Sequence, residues 1–533
     1  MRLCATIVAM LVMVACSGPN VEAERGSVGF LGGVAADEPH AAQVGRNILA
    51  IGGNAADAAV AVYFMMSVTL PSHASLGGGG VCVVHDQLTK VTESLEFLAR
   101  PTLSVPAGAD RPSAIPGNPR GFYALHSKYG ALHWGQVISP AEEWARFGYS
   151  VSRAFANDVH EVEAHLLTDD AMRQIFSANE GGGLVKEGEY LQQVDLAATL
   201  GRMRVQGPGE FYLGETAQKL VAAVAKAGGS LSREDLRDYI PNWAATIPLQ
   251  YGNLTMHFAP PPAAGGAVAA QIWSMLAEGD RFIDADETTR NHLIAEAAML
   301  AYGDRTQWMR PDGTSLVPAA DLVGGSRLER LGAALRLDWH SPAVSLQSVP
   351  VERPENSSAA TFVVVDRDGS AVSCGLTLNN LFGTGRVAPE TGIVLAARPD
   401  ANGRGASSLG PALAVNEFTN RFYLAIAASG GATAPTVLAG VGLEAMAPGR
   451  PLEDALSRPR VYHGGAPDLL YYEEGVGRDV LDRLLALGHR IAPSEKLGRI
   501  NAVVCRGGLP SKFDICSIET DGRGAGLAVS TPR

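Results

Sequence analysis

Ser357, Ser358 and Thr361 place three side-chain hydroxyls where a strand is expected to begin. A β-branched run at 362–365, an Asp-Arg-Asp-Gly turn and a second apolar run at 371–378 follow, and this pattern predicts a β-hairpin. A hydroxyl at the start of such a strand can attack a carbonyl if the chain is cut just before it, because the freed α-amine can accept the proton. Taken alone, the stretch is more typical of a small-residue loop that enters a core strand.

Two glycine-rich turns are the next candidates for chemistry. Gly430 and Gly431 end an apolar strand and precede a helix predicted over 435–446, where backbone amides can stabilise an oxyanion; a plain strand-to-helix turn is the alternative. The run Gly77–Gly80 lacks the Gly-Lys-Ser/Thr of a phosphate-binding loop and leads into a strand. We therefore expect close packing of backbone against backbone at 77–80.

The elements that must position these residues are hairpins and apolar helices. An amphipathic helix is predicted over 39–52 and an almost wholly apolar one over 55–69, with Asp57 capping its first turn. Hairpins are predicted over 362–378 and 412–427. Antiparallel sheets with apolar strands on both faces must be covered on both sides, so the pattern favours an α+β fold, an α/β/β/α sandwich.

Composition and the first residues bear on location. The 533-residue chain carries a net charge of -12, which argues against a nucleic-acid partner. Residues 1–16 are typical of a signal peptide that ends in a lipobox, with Cys16 as the lipid anchor; ordinary signal-peptidase cleavage nearby is the alternative. Residues 17–28 are expected to be a tether. No later apolar run approaches the ~20 residues of a spanning helix. We expect an exported, periplasmic protein that meets the membrane through its lipid.

The cysteines suit an oxidising compartment. Cys505 and Cys516 flank a turn at a spacing that a disulfide can bridge, whereas Cys82 and Cys374 lie in apolar strands and are predicted to be buried thiols. No Cys/His spacing indicates a metal site, and no cofactor is expected.

Several ordered motifs resemble those of one family, the γ-glutamyltransferases or glutathione hydrolases. The similar segments are GGNAADAAVA at 52–61, LPSHASLGGGG at 70–80, GPGEFYLGETAQKL at 207–220, NHLIAEAAMLAYGDR at 291–305 and DRDGSAVSCGLTLNNLFGTG at 366–385. The family consists of N-terminal nucleophile hydrolases, made as one chain that cuts itself into a large and a small subunit. The resemblance implies a single unit over 29–533, with a large part at 29–360 and a small part at 361–533.

The resemblance also implies roles for individual residues. Thr377 would position the amine of the nucleophile, and Asn379 would contact a bound γ-glutamyl group. The remaining implied residues are Ser407 and Ser408 for the substrate α-carboxylate, and Gly430 and Gly431 for the oxyanion.

Three positions depart from the family pattern. Ala359 occupies the place of the nucleophilic threonine, and an alanine methyl cannot attack a carbonyl. Leu98 occupies the place of the arginine that pairs with the substrate carboxylate, so Arg100 would serve only after a two-residue slip. Arg398 lies where an acidic residue binds the substrate amine, and its charge would disfavour an α-ammonium if it were buried.

Two functions remain open on this sequence. In one, the chain is cut between Ala360 and Thr361. Thr361 then transfers the acyl group of glutathione, or of another small γ-glutamyl or acyl amide, to water, an amino acid or a peptide. Ser357 and Ser358 are weaker candidates for the nucleophile. A variant of it changes the acyl group, as in cephalosporin acylases. In the other, the chain is not processed and serves as an envelope binding protein.

Overall fold

The computed structural model describes residues 30–178, 183–346, 358–399, 406–511 and 516–532. The lipobox cysteine Cys16, the tether and Ser357 lie outside these residues. The helices of eight or more residues are α1 Pro39–Ala50, α2 Ala55–Thr69, α3 Asn118–Tyr129, α4 Trp134–Phe147, α5 Arg153–Leu166, α6 Val194–Gln206, α7 Glu215–Lys226, α8 Gly265–Ala277, α9 Glu287–Arg305, α10 Gly325–Ala334, α11 Ala434–Met446 and α12 Arg478–Ala486. Shorter α-helical segments are Pro71–Ala74, Asp170–Phe176, Gly209–Leu213, Arg233–Asp238, Arg281–Asp284 and Leu452–Ser457.

Two antiparallel sheets carry the longer strands. The strands of these sheets are β1 Phe30–Ala36, β2 Gly79–Asp86, β3 Val91–Phe97, β4 Asn242–Ala245, β5 Ile247–Tyr251, β6 Leu254–Phe258, β7 Ala359–Asp366, β8 Ala371–Thr377, β9 Ala412–Asn416, β10 Arg421–Ser429, β11 Arg499–Leu509, β12 Cys516–Thr520 and β13 Leu527–Pro532. The first sheet has the order β13-β1-β7-β8-β2-β3-β4, and the second has the order β12-β11-β10-β9-β6-β5. Minor two- and three-stranded sheets use the short strands Arg100–Pro101, Ala114–Ile115, Tyr149–Ser150, Tyr190–Leu191, Val387–Ala388, Ile393–Val394, Val461–Tyr462, Leu470–Glu473 and Ile491–Ser494.

The two sheets face each other across an apolar layer and are each covered by helices. Alternate residues of β7 divide between the layers: Val363 and Val365 pack between the sheets, whereas Phe362 and Val364 pack against the layer of α1 and α2. Helices α8 and α11 cover the second sheet, and α9 packs on both of them. This period-2 division buries β7 on both faces. The predicted α/β/β/α sandwich is confirmed.

The expected cap and glycine packing are both present. Asp57 and Asn54 form a capping box at the start of α2, and the Asp366 carboxylate also accepts the Ala55 amide. A Cβ on Gly79 would overlap the Ala99 backbone, so the glycine run 77–80 is a place of close backbone contact, as predicted.

The cysteine predictions divide. Cys505 and Cys516 form a disulfide, as their spacing suggested. The prediction that Cys82 and Cys374 are free thiols is wrong, because they are directly opposite each other on β2 and β8 and form a second disulfide. This bond joins residues on either side of the stretch 346–358.

Among the described residues, no helix combines the length and the apolar character that crossing a bilayer requires.

Candidate active site at the start of the central hairpin

Ala359 is the first residue of β7 and lies at the open end of the hairpin. It pairs with Thr377 on β8 and is 8% exposed, in a strand that is otherwise fully buried. The Thr377 hydroxyl donates a hydrogen bond to the Ser358 carbonyl oxygen at 2.8 Å and accepts one from the Asn379 amide at 2.9 Å. Thr377 is therefore directed at the peptide bond between Ser358 and Ala359.

Arg499 connects this end of the hairpin to the glycine turn of the second sheet. Its Nη2 atom donates to the Ala359 carbonyl oxygen at 3.3 Å, and its Nε atom donates to the Ser429 hydroxyl at 3.3 Å. Ser429 is the last residue of β10, immediately before Gly430. Arg499 therefore links Ala359 to the start of the glycine turn. Sequence reasoning missed Arg499, which lies 140 residues from Ala359.

The turn at Gly430 and Gly431 adopts backbone angles that glycine favours. Their φ values are +137° and +58°, and a Cβ on Gly430 would lie 2.6 Å from the Gly498 Cα atom. The Thr433 amide and hydroxyl both donate to the Gly430 carbonyl oxygen, at 3.2 and 2.9 Å. The turn then leads through a short 3-10 segment into α11. Its geometry is held by side-chain and backbone bonds, as a donor site requires.

Thr361 lies two residues further into the strand than Ala359. Its side chain is fully buried, and its amide donates to the Asp37 carboxylate at 2.9 Å. Asn501 donates to the Thr361 hydroxyl oxygen at 2.8 Å and to the second Asp37 oxygen at 2.8 Å. Neither Asp37 nor Asn501 was identified from the sequence, because both are distant in the chain and belong to no recognised motif.

The strand register of the second sheet separates Thr361 from the glycine turn. On β10 and β11, Arg499 is opposite Ser429 and Asn501 is opposite Ala427. Thr361 contacts Asn501, whereas Ala359 contacts Arg499. Two residues along a strand correspond to about 7 Å. The structure thus places Thr377 and Arg499 at Ala359, links Arg499 to Ser429 before the glycine turn, and places Thr361 one pleat deeper.

Asn379 presents a buried acceptor near the same end of the hairpin. Its φ is +65°, and its Nδ2 atom donates to the Ala397 carbonyl oxygen at 2.8 Å. Its Oδ1 atom has no hydrogen-bond partner within the described part of the chain, although the residue is 2% exposed. A buried carbonyl oxygen without a donor costs about 1–3 kcal/mol. A ligand that donates an N–H would remove this cost.

Ser407 and Ser408 form a short 3-10 turn that ends at Leu409. A Cβ on Gly265, at the start of α8, would overlap the Ser408 carbonyl, so this turn packs directly on the helix. Leu409 joins Ala359 and Leu98 in the apolar layer between the sheets. The serine turn therefore borders the region of Ala359.

The two arginines singled out by the sequence lie in other surroundings. Arg100 forms an ion pair with Glu96 at 2.9 Å, and its guanidinium stacks on the Tyr239 ring. Leu98 contributes an apolar side chain to the layer between the sheets that also contains Ala359. Arg398 is exposed, so the expected penalty for a buried positive charge does not arise there.

A buried histidine–carboxylate contact involves His73, four residues before Gly77. His73 is 3.0 Å from Asp158, which also accepts the Ser72 hydroxyl at 2.6 Å. Burial alone would raise the pKa of Asp158, but His73, Ser72 and Arg499 outweigh it, and the pKa of this carboxyl is lowered. Asp158 therefore stays ionised and balances the positive charge of Arg499.

This chain is similar to known proteins over most of its length. The family model described as gamma-glutamyltranspeptidase matches residues 41–529. The chain belongs to the γ-glutamyltranspeptidase family. The Escherichia coli (strain K12) glutathione hydrolase proenzyme is 29% identical over 515 residues, covering 89% of this chain and 88% of that protein. The Bacillus subtilis (strain 168) glutathione hydrolase proenzyme is 28% identical over 566 residues, covering 94% of each.

Solved structures agree on the fold. A cephalosporin acylase from Bacillus halodurans superposes with a TM-score of 0.81 at 22% identity, covering 97% of this chain and 99% of that one. The Helicobacter pylori gamma-glutamyltranspeptidase superposes with a TM-score of 0.56 at 26% identity, covering 60% of this chain and 96% of that one. The N-terminal nucleophile hydrolase fold implied by the motifs is thereby confirmed.

Proposed function

We propose that this member of the γ-glutamyltranspeptidase family binds a small γ-glutamyl or acyl amide at the open end of the hairpin and remains a single polypeptide. One observation carries the proposal: Ala359 is the residue that pairs with Thr377 and whose carbonyl oxygen accepts from Arg499. Arg499 in turn contacts Ser429, immediately before the Gly430 turn. A methyl group has no lone pair to attack a carbonyl, so neither self-cleavage before residue 359 nor an acyl-enzyme at that residue can occur.

The ligand class follows from the polar groups around Ala359. Asn379 offers a buried acceptor, and the glycine turn offers backbone amides to a carbonyl or carboxylate oxygen. The related proteins named glutathione hydrolase support a γ-glutamyl amide such as glutathione. Leu98, an apolar residue in the layer that contains Ala359, where the family pattern has an arginine, favours a ligand whose group at that point is apolar.

A second candidate function, acyl transfer by Thr361, is favoured by one specific contact. The Thr361 hydroxyl lies 3.4 Å from the Asp37 carboxylate, which can accept its proton. Attack of this hydroxyl on the Ala360 carbonyl would form an ester and break the amide bond between residues 360 and 361, whose nitrogen takes up the proton and becomes the free α-amine of Thr361. Water would then cleave the ester to give the Ala360 carboxylate and the Thr361 hydroxyl. That amine would lie beside Asp37, whose charge favours the ammonium form and weakens the amine as a base. The distance of about 7 Å along the strand from Ala359 also removes it from the glycine turn.

The two candidates are separated by the mass of the purified protein under reducing conditions. Reduction is essential because the Cys82–Cys374 disulfide would hold two fragments together. We expect one intact chain and no release of p-nitroaniline from γ-glutamyl-p-nitroanilide. Two polypeptides, the smaller starting at Thr361, with release of p-nitroaniline, would establish acyl transfer instead.

Restoring a hydroxyl tests the alignment of Ala359 directly. Ala359→Thr should produce slow self-cleavage, with a new fragment that begins at residue 359. The matched control is Ala360→Thr, because residue 360 faces the helix layer rather than the space between the sheets. Cleavage in neither variant would show that Thr377 and the glycine turn are not arranged around residue 359.

We also propose that the protein is exported and held at the bacterial envelope by a lipid on Cys16. The two disulfides support an oxidising compartment. The mature N-terminus, read by mass spectrometry of the membrane fraction, tests this: an acylated Cys16 is expected, and an unmodified later residue in the soluble fraction would contradict it.

A further inference from the structure

Four of the chain's histidines gather in a buried cluster that the hairpin does not use. The histidine cluster consists of His292, His340, His463 and His489 with the carboxylates of Glu296 and Asp468. All four histidines are at most 9% exposed, and Glu296 is fully buried. Carboxylates and imidazoles are the ligands that divalent transition metals of the zinc kind prefer.

The elements that supply the cluster come from both parts of the chain. His292 and Glu296 are one turn apart on α9, so their side chains share one face of the helix. His489 follows the end of α12, and His340, His463 and Asp468 come from the chain between these two helices. Such a site cannot be recognised from Cys/His spacing, because no two histidines of the cluster are close in sequence.

Hydrogen bonds fix the tautomer of His292. Its Nε2 atom lies 3.2 Å from the Arg336 carbonyl oxygen, which can only accept, so Nε2 carries the proton. The lone pair on Nδ1 therefore points towards His489, whose Nε2 atom is 2.8 Å away. A backbone carbonyl that orients a histidine in this way is typical of metal-binding histidines.

The other two histidines are already committed to hydrogen bonds. His463 accepts the Gly465 amide at Nδ1, so its proton is on Nε2, which donates to Asp468 at 3.1 Å. His340 bridges the two carboxylates, with Nδ1 2.7 Å from Glu296 and Nε2 2.9 Å from Asp468. These contacts leave neither histidine a lone pair for a metal, but they orient Glu296 towards His292 and His489.

We propose that His292 Nδ1, His489 Nε2 and the Glu296 carboxylate bind one divalent transition-metal ion of the zinc class. One ligand atom from each residue lies within 4.8 Å of the others. Zinc–nitrogen bonds of about 2.0–2.1 Å place two tetrahedral ligands roughly 3.3 Å apart, so the two imidazole nitrogens must separate by about 0.5 Å to admit the ion. The ion's positive charge would offset the negative charge of the fully buried Glu296 carboxylate.

The expected role of the ion is structural. The ligands are almost inaccessible to solvent, which leaves no route for a substrate to reach the metal. The site would fasten α9, which precedes Ala359, to the turn after α12, which follows it. Metal-binding free energy would then contribute directly to the stability of the folded chain.

Metal analysis of the untagged protein tests the proposal without reference to cleavage or amide binding. After dialysis against a chelator and then against buffer with Zn²⁺, we expect about one equivalent of zinc per chain and a higher midpoint of thermal unfolding than for the stripped protein. Co²⁺ in place of Zn²⁺ should give the visible d–d absorption of a tetrahedral site. No retained metal and an unchanged midpoint would overturn the proposal and leave a hydrogen-bonded histidine pair only.

Variants assign the ligands. His292→Ala and His489→Ala should each reduce retained zinc at least tenfold, whereas His463→Ala, in the same cluster, should retain it. Circular dichroism of each variant shows whether it is folded. If a ligand variant does not fold, the cobalt spectrum of the unaltered protein decides, because an octahedral spectrum or none contradicts the assigned site. Equal loss of zinc in His463→Ala would contradict the assignment of ligands.

Discussion

Replacement of Thr361 by valine separates a structural role from a catalytic one. The change removes the hydroxyl that Asn501 contacts at 2.8 Å and that lies 3.4 Å from Asp37. Asn501 Nδ2 keeps Asp37 and the Thr361 carbonyl oxygen as acceptors, and Asp37 keeps the Thr361 amide as a donor. Because no buried group loses its last partner, we expect the free energy of unfolding to fall by about 1 kcal/mol, the typical value for one hydrogen bond.

The assay is urea unfolding followed by tryptophan fluorescence, with Thr361→Ser and Asp37→Ala as matched comparisons. Thr361→Ser retains the hydroxyl and should change stability less than valine does. Asp37→Ala deprives the buried Thr361 amide of its acceptor, so its cost should exceed that of valine by about 1–3 kcal/mol. A loss of more than about 3 kcal/mol in Thr361→Val would contradict this structural role. A cleavage that occurs in the unaltered chain and in Thr361→Ser but not in Thr361→Val would show a catalytic role instead.

Three further outcomes are expected. Burial raises the pKa of Asp366 to about 6 from 3.8, so between these pH values the folded state retains a proton that the unfolded state loses. The free energy of unfolding should therefore fall by up to about 3 kcal/mol as pH rises from about 4 to 6. Asp366→Asn should flatten this pH dependence in urea titrations. Peptide mapping without reductant should yield a linked pair containing Cys82 and Cys374, and separate peptides would contradict that bond. Gly430→Ala should destabilise the fold by about 1–3 kcal/mol and weaken glutathione binding in calorimetry. The reason is that the φ of +137° at Gly430 and its contact with Gly498 leave no room for a Cβ. Unchanged stability would contradict this geometry.

The hairpin and the buried helix α2 were predictable because their signals are local. Two apolar runs on either side of an Asp-Arg-Asp-Gly turn specify the hairpin, and Asn54 with Asp57 specifies the helix cap. The two covered sheets followed from the need to bury strands that are apolar on both faces.

The contacts that define the site were not predictable, because they depend on the register between distant strands. Thr361, Asp37 and Asn501 meet only when β7, the end of β1 and β11 are assembled. The Cys82–Cys374 bond likewise requires β2 and β8 to be neighbours, which their positions in the chain do not indicate.

The intact mass of the mature protein, measured under reducing conditions, shows whether the chain cuts itself at the hairpin. Because we propose that Ala359 occupies the position of the nucleophile, we expect one polypeptide that extends through the hairpin without a break, in fresh and in aged samples. Two polypeptides whose junction lies within residues 357–361 would contradict it.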